Sequence, residues 1–577
     1  VLDVVIRRGT VADGSGAPGR RADVAVKDGR VVAVGEVDEP SAREIDADGC
    51  VVAPGFVDLH THYDAQLFYD RTLSPSPLHG VTTVVGGNCG LTLAPIAPAD
   101  ERFLTRLLAR VESIPAETIE AGVDISWRTF GEFLDAAGTG GLGANIGFLV
   151  GHSAIRRAVM GEAASEAAAS TEQLQAMQRL LGECIAAGGM GFSTANAATQ
   201  VDGDGRPTPP NFADRRELVA LAATCGEHPG TSIEFIPDSF IRGFSDEDVE
   251  LLADMSAAAD RPLNWNTLLV NPQAPDLWRE QLRASDVAEA RGGRVVPMFM
   301  PQNLQLQHDF ARGYVFRALP GWAWLFELDI PARMEALRDP ARRHQLERSA
   351  AEQASGLAVV VRDWGRYRVN EVPDARQASL AGRMVGDLAA EWSMSEFDAM
   401  VEVALRCDLD VGFVRTQYAD GDTWAWETRL GLLKDPRVVL QASDAGAHLD
   451  MMSGADFPTQ CLAELVRERE VFTVEEMVRQ LSAVPADLYG LVDRGRIAEG
   501  AWADLVVFDP ATVGATPLRT VHDLPAGAGR LTTGSTGVAH VLVSGREVVR
   551  GGGYTGELPG TVLRSGRDTR TVTARAR

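Results

Sequence analysis

Two histidines one residue apart, His60 and His62, close the run Pro54-Gly55-Phe56-Val57-Asp58-Leu59-His60-Thr61-His62. Alternate side chains of a strand share a face. Both imidazoles therefore point the same way, and at a strand end two neutral imidazoles can share one metal ion. Alone, the pair could equally be two ordinary surface histidines. Its context favours a metal. Asp444 ends the apolar run Val438-Val439-Leu440-Gln441-Ala442-Ser443-Asp444, where a carboxylate can ligate an ion and take a proton from water. The bland role for Asp444 is a helix N-cap. Gly86-Gly87-Asn88-Cys89-Gly90 ends another apolar run in a glycine-rich turn that presents a thiol, a soft ligand that a metal would deprotonate. Most free cysteines are inert and buried, so Cys89 gains weight only from its neighbours. His152 follows a third apolar run, where it either hydrogen-bonds substrate or an oxyanion or is a satisfied structural histidine. His448, four residues past Asp444, is placed to orient that loop or touch substrate.

Something must bring these segments together. Strand-like runs recur at residues 51–57, 81–85, 145–150, 190–194, 232–236, 263–268, 295–299 and 438–442, with helical patterns such as 170–187 and 215–225 between them. Eight buried strands with helical crossovers predict an α/β fold, a (β/α)₈ TIM-type barrel. Its last strand closes against the first, which sets Asp444 beside His60 and His62. The long gap at 301–436 carries helical patterns (334–354, 380–392, 395–407) and the aromatics Trp322, Trp324, Trp364 and Tyr367. It is predicted to cover the barrel mouth, where catalytic loops gather. Short strands separated by Asp-Gly turns mark both ends of the chain and predict a small β-sandwich built from the two termini. The expected division is 1–50 and 491–577 for that unit and 51–490 for the barrel.

The 577 residues are 45% hydrophobic and 23% charged, an ordinary globular balance. A net charge of −25, with Lys27 and Lys434 the only lysines, would repel nucleic acid and anionic membranes. The six cysteines form no paired framework, the sequence opens directly on a strand, and no apolar run approaches the roughly 20 residues of a membrane span. The expectation is a soluble, cytoplasmic protein whose partner is a small molecule, with a homo-oligomer left open.

Together these segments resemble the amidohydrolase superfamily, and within it the N-acyl-D-amino-acid deacylase (D-aminoacylase) branch. The resemblance runs from Pro54–His62 through Gly86-Gly87-Asn88-Cys89-Gly90, Gly151-His152 and Ser443-Asp444-Ala445-Gly446 to Val484-Pro485-Ala486-Asp487-Leu488-Tyr489-Gly490 and the stretch 495–509. It implies a zinc site using His60, His62, Cys89 and Asp444, plus one histidine each from strands five and six. Here the sequence departs. None of its ten histidines falls at either tip. Strand five reads Thr231-Ser232-Ile233-Glu234-Phe235-Ile236, so Glu234 stands where the first histidine is expected; Asn266 or Thr267 stands where the second is. The family's lysine after that second histidine also has no counterpart.

These readings predict a metal-dependent hydrolase of an amide-type C–N bond, in an N-acyl amino acid or related small amide. The expected metal ligands are His60, His62, Cys89, Glu234 and Asp444, holding one firmly bound divalent ion, zinc by resemblance. Glu234 has rival roles as an unliganded acid or base or as a partner for a cationic substrate. Asp444 is the expected proton acceptor, with His152, Asn266 and His448 facing substrate. The alternatives are a hydrolase of a cyclic amide, carbamate or ester, a metal-dependent lyase, or a metal-free scaffold.

Overall fold

The computed structural model describes residues 1–575 apart from 273, 318, 353–360 and 419–420. Eight short strands follow one another through the chain: β1 (Phe56–Asp58), β2 (Val81–Gly86), β3 (Asn145–Phe148, continued by Val150–Gly151), β4 (Gly191–Ala195), β5 (Ser232–Ile236), β6 (Pro262–Trp265), β7 (Arg294–Phe299) and β8 (Val439–Leu440). Each pairs in parallel with the next. The eighth is tied back to the first: Gln441 Nε2 donates to the Val57 carbonyl (3.0 Å), and Thr61 bridges Ala445 in parallel. Connecting helices include α1 (Glu101–Val111), α2 (His152–Met160), α3 (Thr171–Ala186), α4 (Arg215–Gly226), α5 (Asp246–Ala259) and α6 (Leu277–Ala290). Several begin where the sequence signals a start, with Ser170, Asp214 and Ser245 side chains accepting from the first-turn amides. β2 is buried along its whole length, as a parallel strand covered on both faces must be. The fold is mixed α/β.

The run predicted as one strand at 51–57 is two. Val51–Pro54 lies between Leu2–Val11 and Leu505–Phe508 in a nine-stranded sheet drawn from both ends of the chain, whereas Phe56–Asp58 is β1. The hand-over is at Gly55, where a Cβ would lie 2.1 Å from Thr82 Oγ1, so only glycine lets the chain cross β2 so closely. The region 491–577 is likewise only partly in that sheet, whose last strand is Gly553–Tyr554. Beyond it the chain returns to the strand ends remote from Asp444, bridging Leu142 through Gly560 and Ile146 through Val562. Backbone groups at those ends would otherwise lack partners.

Among its described residues the segment 301–436 is rich in helix, but the predicted helix at 334–354, whose last two residues lie outside the described ones, is interrupted at Asp339, where Pro340 starts a second helix (Ile330–Arg338, then Pro340–Glu352). It carries a three-stranded sheet of its own and packs Phe310, Trp322, Trp364, Tyr367 and Phe397 into a separate core. Trp322, Trp364 and Tyr367 therefore pack on one another, with Trp324 against the edge of that core. Among the described residues no helix is long and apolar enough to cross a membrane.

Candidate metal centre

Four donors meet at the C-terminal ends of β1, β2 and β8. Cys89 Sγ lies 3.4 Å from His60 Nε2 and 3.5 Å from His62 Nε2. Asp444 Oδ1 lies 3.5 Å and 3.0 Å from the same two nitrogens. The HxH spacing does what strand alternation predicts, bringing both Nε2 atoms to one point. The Gly86–Gly90 turn delivers the thiol. Gly87 has φ +72°, and a Cβ there would sit 2.2 Å from the Leu149 carbonyl. Asn88 Nδ2 donates to the Val85 and Thr61 carbonyls (2.9 and 3.3 Å), stitching the tips of β1 and β2 together. Four non-glycine residues here adopt left-handed backbone: Cys89 (φ 58°), Ala442 (81°), Asp444 (60°) and His448 (50°). Each such residue costs about 1–2 kcal/mol, a local strain of the kind that gathers at functional sites.

The electrostatics call for a cation. Burial, then the negative charges of Glu234, Glu112 and Asp444, push the Cys89 thiol well above its ordinary value. Burial also drives Glu234 up to about 7, and burial followed by the charge of Asp444 drives Glu112 well above the carboxylate range. For Asp444 burial acts upward too, but the attraction of His60, His62 and His448 prevails and holds it well below that range. Among the described residues no lysine or arginine pairs with Glu112, Glu234 or Asp444. Buried His60 Nδ1, His62 Nδ1 and Glu112 Oε1 have no hydrogen-bond partner. Two imidazoles, a thiol and a carboxylate are donors that zinc takes, and the residues fit such an ion.

The other expected site residues divide. Asn266 and His448 line a cavity of about 280 Å³ that reaches His60, Cys89 and Asp444; its walls include Arg110–Glu112, Ala197, Thr199–Val201 and Phe240, and no described residue of 301–436. The loops after β2, β4 and β5 thus supply the walls that the long insertion was expected to provide. His448 Nε2 lies 3.6 Å from Asp444 Oδ2, consistent with an orienting role. Glu234 is set behind His60, its Oε1 4.0 Å from Nδ1. Its oxygens accept from Asn266 Nδ2 (2.8 Å) and the Cys89 amide (3.0 Å), and it falls outside both clusters of converging metal-donor atoms. His152 does not face the cavity. Its Nδ1 pairs with Thr194 Oγ1 (2.8 Å) and its Nε2 with Glu217 Oε1 (2.7 Å), so the structural alternative replaces the catalytic and substrate-binding expectation. Glu112 was missed altogether, although with His62 and Asp444 it forms a second set of converging donors.

Residues 43–549 match the amidohydrolase family. This chain belongs to that family. Among its relatives, N-acyl-D-glutamate deacylase of Alcaligenes xylosoxydans xylosoxydans is 30% identical over 94% of this chain and 93% of its own. D-aminoacylase of the same organism is 27% identical over 97% of each. The solved structure of N-acyl-D-glutamate deacylase from Bordetella bronchiseptica, complexed with zinc and a phosphonate inhibitor, covers 98% of this chain at 27% identity and a TM-score of 0.63. This amidohydrolase is a D-aminoacylase-like enzyme acting on carbon–nitrogen bonds other than peptide bonds.

Proposed function

We propose that this amidohydrolase cleaves the amide bond of a small N-acyl amino acid or related amide, using one firmly bound zinc ion held by His60, His62, Cys89 and Asp444. The observation that carries the reading is that the thiol and one Asp444 oxygen each lie 3.0–3.5 Å from both imidazole Nε2 atoms. The strand succession with its eighth-to-first ties supports a (β/α)₈ barrel, and the two-ended sheet supports a separate β unit beside it. When bound, the ion activates water and polarises the scissile carbonyl. Asp444, about 20% exposed and lining the cavity, takes the proton of the attacking water and passes it to the leaving nitrogen. His448 keeps the outer oxygen of Asp444 turned towards the cavity. Asn266, anchored through Nδ2 to Glu234, leaves its buried Oδ1 without a partner and offers it to a donor on the substrate. A cavity of about 280 Å³ suits a small substrate.

The test is elemental analysis of the purified protein together with hydrolysis of a panel of N-acyl D- and L-amino acids. One equivalent of zinc is expected, with cleavage abolished by a chelator and restored by zinc. Full activity in the presence of the chelator, or no metal at all, overturns the proposal.

A further inference from the structure

Glu112 reaches the centre from outside the strands. It is the residue that ends α1, and its carboxylate turns inward to about 2% exposure, with Oε1 3.5 Å from His62 Nδ1. That nitrogen is the one not shared with Cys89 and Asp444, although a Glu112 oxygen also lies within 4.8 Å of an Asp444 oxygen. Glu112 Oε1 and His62 Nδ1 are both buried and neither has another hydrogen-bond partner. The separation exceeds an ordinary N–H···O bond by only about half an ångström. Glu234 stands in the same relation to His60, at 4.0 Å, so each histidine of the pair has a buried carboxylate behind it. The loop also holds the far side of Asp444. The His448 amide donates to the Glu112 carbonyl (2.6 Å), and Ser113 Oγ lies 3.3 Å from His448 Nδ1.

We propose that Glu112 is a positioning residue that accepts the Nδ1–H of His62, fixes the tautomer with Nε2 free, and aims that nitrogen at the metal. A carboxylate behind a ligating imidazole both orients the ring and raises its basicity. The inference rests on the metal reading of the preceding section and adds a residue from the α1 loop that the strand motifs do not contain. The short brace Glu112–Ser113 then steadies both histidines that flank Asp444.

The experiment measures the zinc dissociation constant by chelator competition, and the thermal stability of the metal-free protein, for wild type, Glu112→Gln and Glu112→Ala. The positioning role predicts affinity weaker by about 10–100-fold in Glu112→Ala and by less in Glu112→Gln, whose amide oxygen still accepts from Nδ1. Metal-free Glu112→Gln should be about as stable as wild type, because the amide is close in size to the carboxyl group and keeps an acceptor facing His62 Nδ1. A merely structural role would lower that stability and leave the affinity unchanged, and this outcome overturns the inference. So does a wild type with two equivalents of zinc that falls to one in Glu112→Ala, since Glu112 would then be a ligand. A wild type that takes no zinc overturns the metal reading and this inference together. A zinc-binding wild type with unaltered variants overturns this inference alone.

Discussion

Two buried histidine–carboxylate clusters lie along the same succession of parallel strands, and they are built on opposite principles. Around His152 every group is answered. Its two ring nitrogens meet Thr194 and Glu217, and Arg156 places a guanidinium nitrogen 2.6 Å from both Glu217 oxygens. The remaining Arg156 donors go to the carbonyls of Ala164 and Ala167. One carboxylate is balanced by one guanidinium, as a buried charge requires. Around His60 and His62 the acidic groups outnumber the cations, and both Nδ1 atoms lack partners. A satisfied cluster holds α2 and α4 to β4 and does nothing more. An unsatisfied one is stable only as a site for something else.

The sharpest way to break this contrast is Asp444→Asn. Turnover should fall about 10²–10⁴-fold, the usual worth of a positioned general base, while circular dichroism stays native. Near-normal turnover would remove Asp444 from proton transfer. In the satisfied cluster the damage should appear in stability instead. Glu217→Ala leaves Arg156 buried and unpaired, and urea denaturation should show a loss of about 3–5 kcal/mol with zinc content unchanged in the folded protein. Loss of zinc with stability intact would show that the two clusters are not independent.

A further buried histidine, outside both clusters, extends the comparison to pH. His79, held by Thr459 Oγ1 (2.8 Å) and Thr533 Oγ1 (3.2 Å), has its pKa driven by burial from 6.5 to about 4. Between those values the unfolded chain binds a proton that the folded one refuses, so stability rises with pH. The contribution is complete above about 6.5 and disappears as pH falls to about 4, a change on the order of 3 kcal/mol. His79→Gln should flatten the wild-type stability profile over this window, and parallel profiles would refute the assignment. The smallest effect belongs to Glu234→Gln, which keeps an acceptor behind His60. It should retain one equivalent of zinc and weaken its affinity about tenfold, the lower end for a supporting carboxylate. Complete loss of metal would make Glu234 a ligand after all.

The residues legible in the sequence are those whose placement is local. His60 and His62 share a face by strand alternation, Asp444 ends an apolar run, and Cys89 sits in a turn whose glycines announce it. The interrupted helix at Asp339-Pro340 and the strand break at Pro54-Gly55 were also written in breaker residues, but helix-forming residues on both sides of the first and apolar residues on both sides of the second masked them. Glu112 was not legible, because only tertiary packing buries the end of α1. A faint signal existed, since an acidic residue at a helix C-terminus opposes the macrodipole. The role of 301–436 was hidden for another reason. Its length and aromatic content report that it has a core, not which surface that core faces.

The crossing at Gly55 carries a consequence for the order in which the enzyme is made. His60 and His62 are synthesised long before Leu505–Phe508, which pair with one side of the strand leading into β1. Asp444 also emerges late. A growing chain therefore carries its two histidines long before it can hold them in register, and the strand before β1 gains that neighbour only once Leu505–Phe508 has emerged. On the metal reading proposed above, the ion would be taken up only after that pairing forms, and a chain stopped before Leu505 should leave the ribosome without firmly bound zinc.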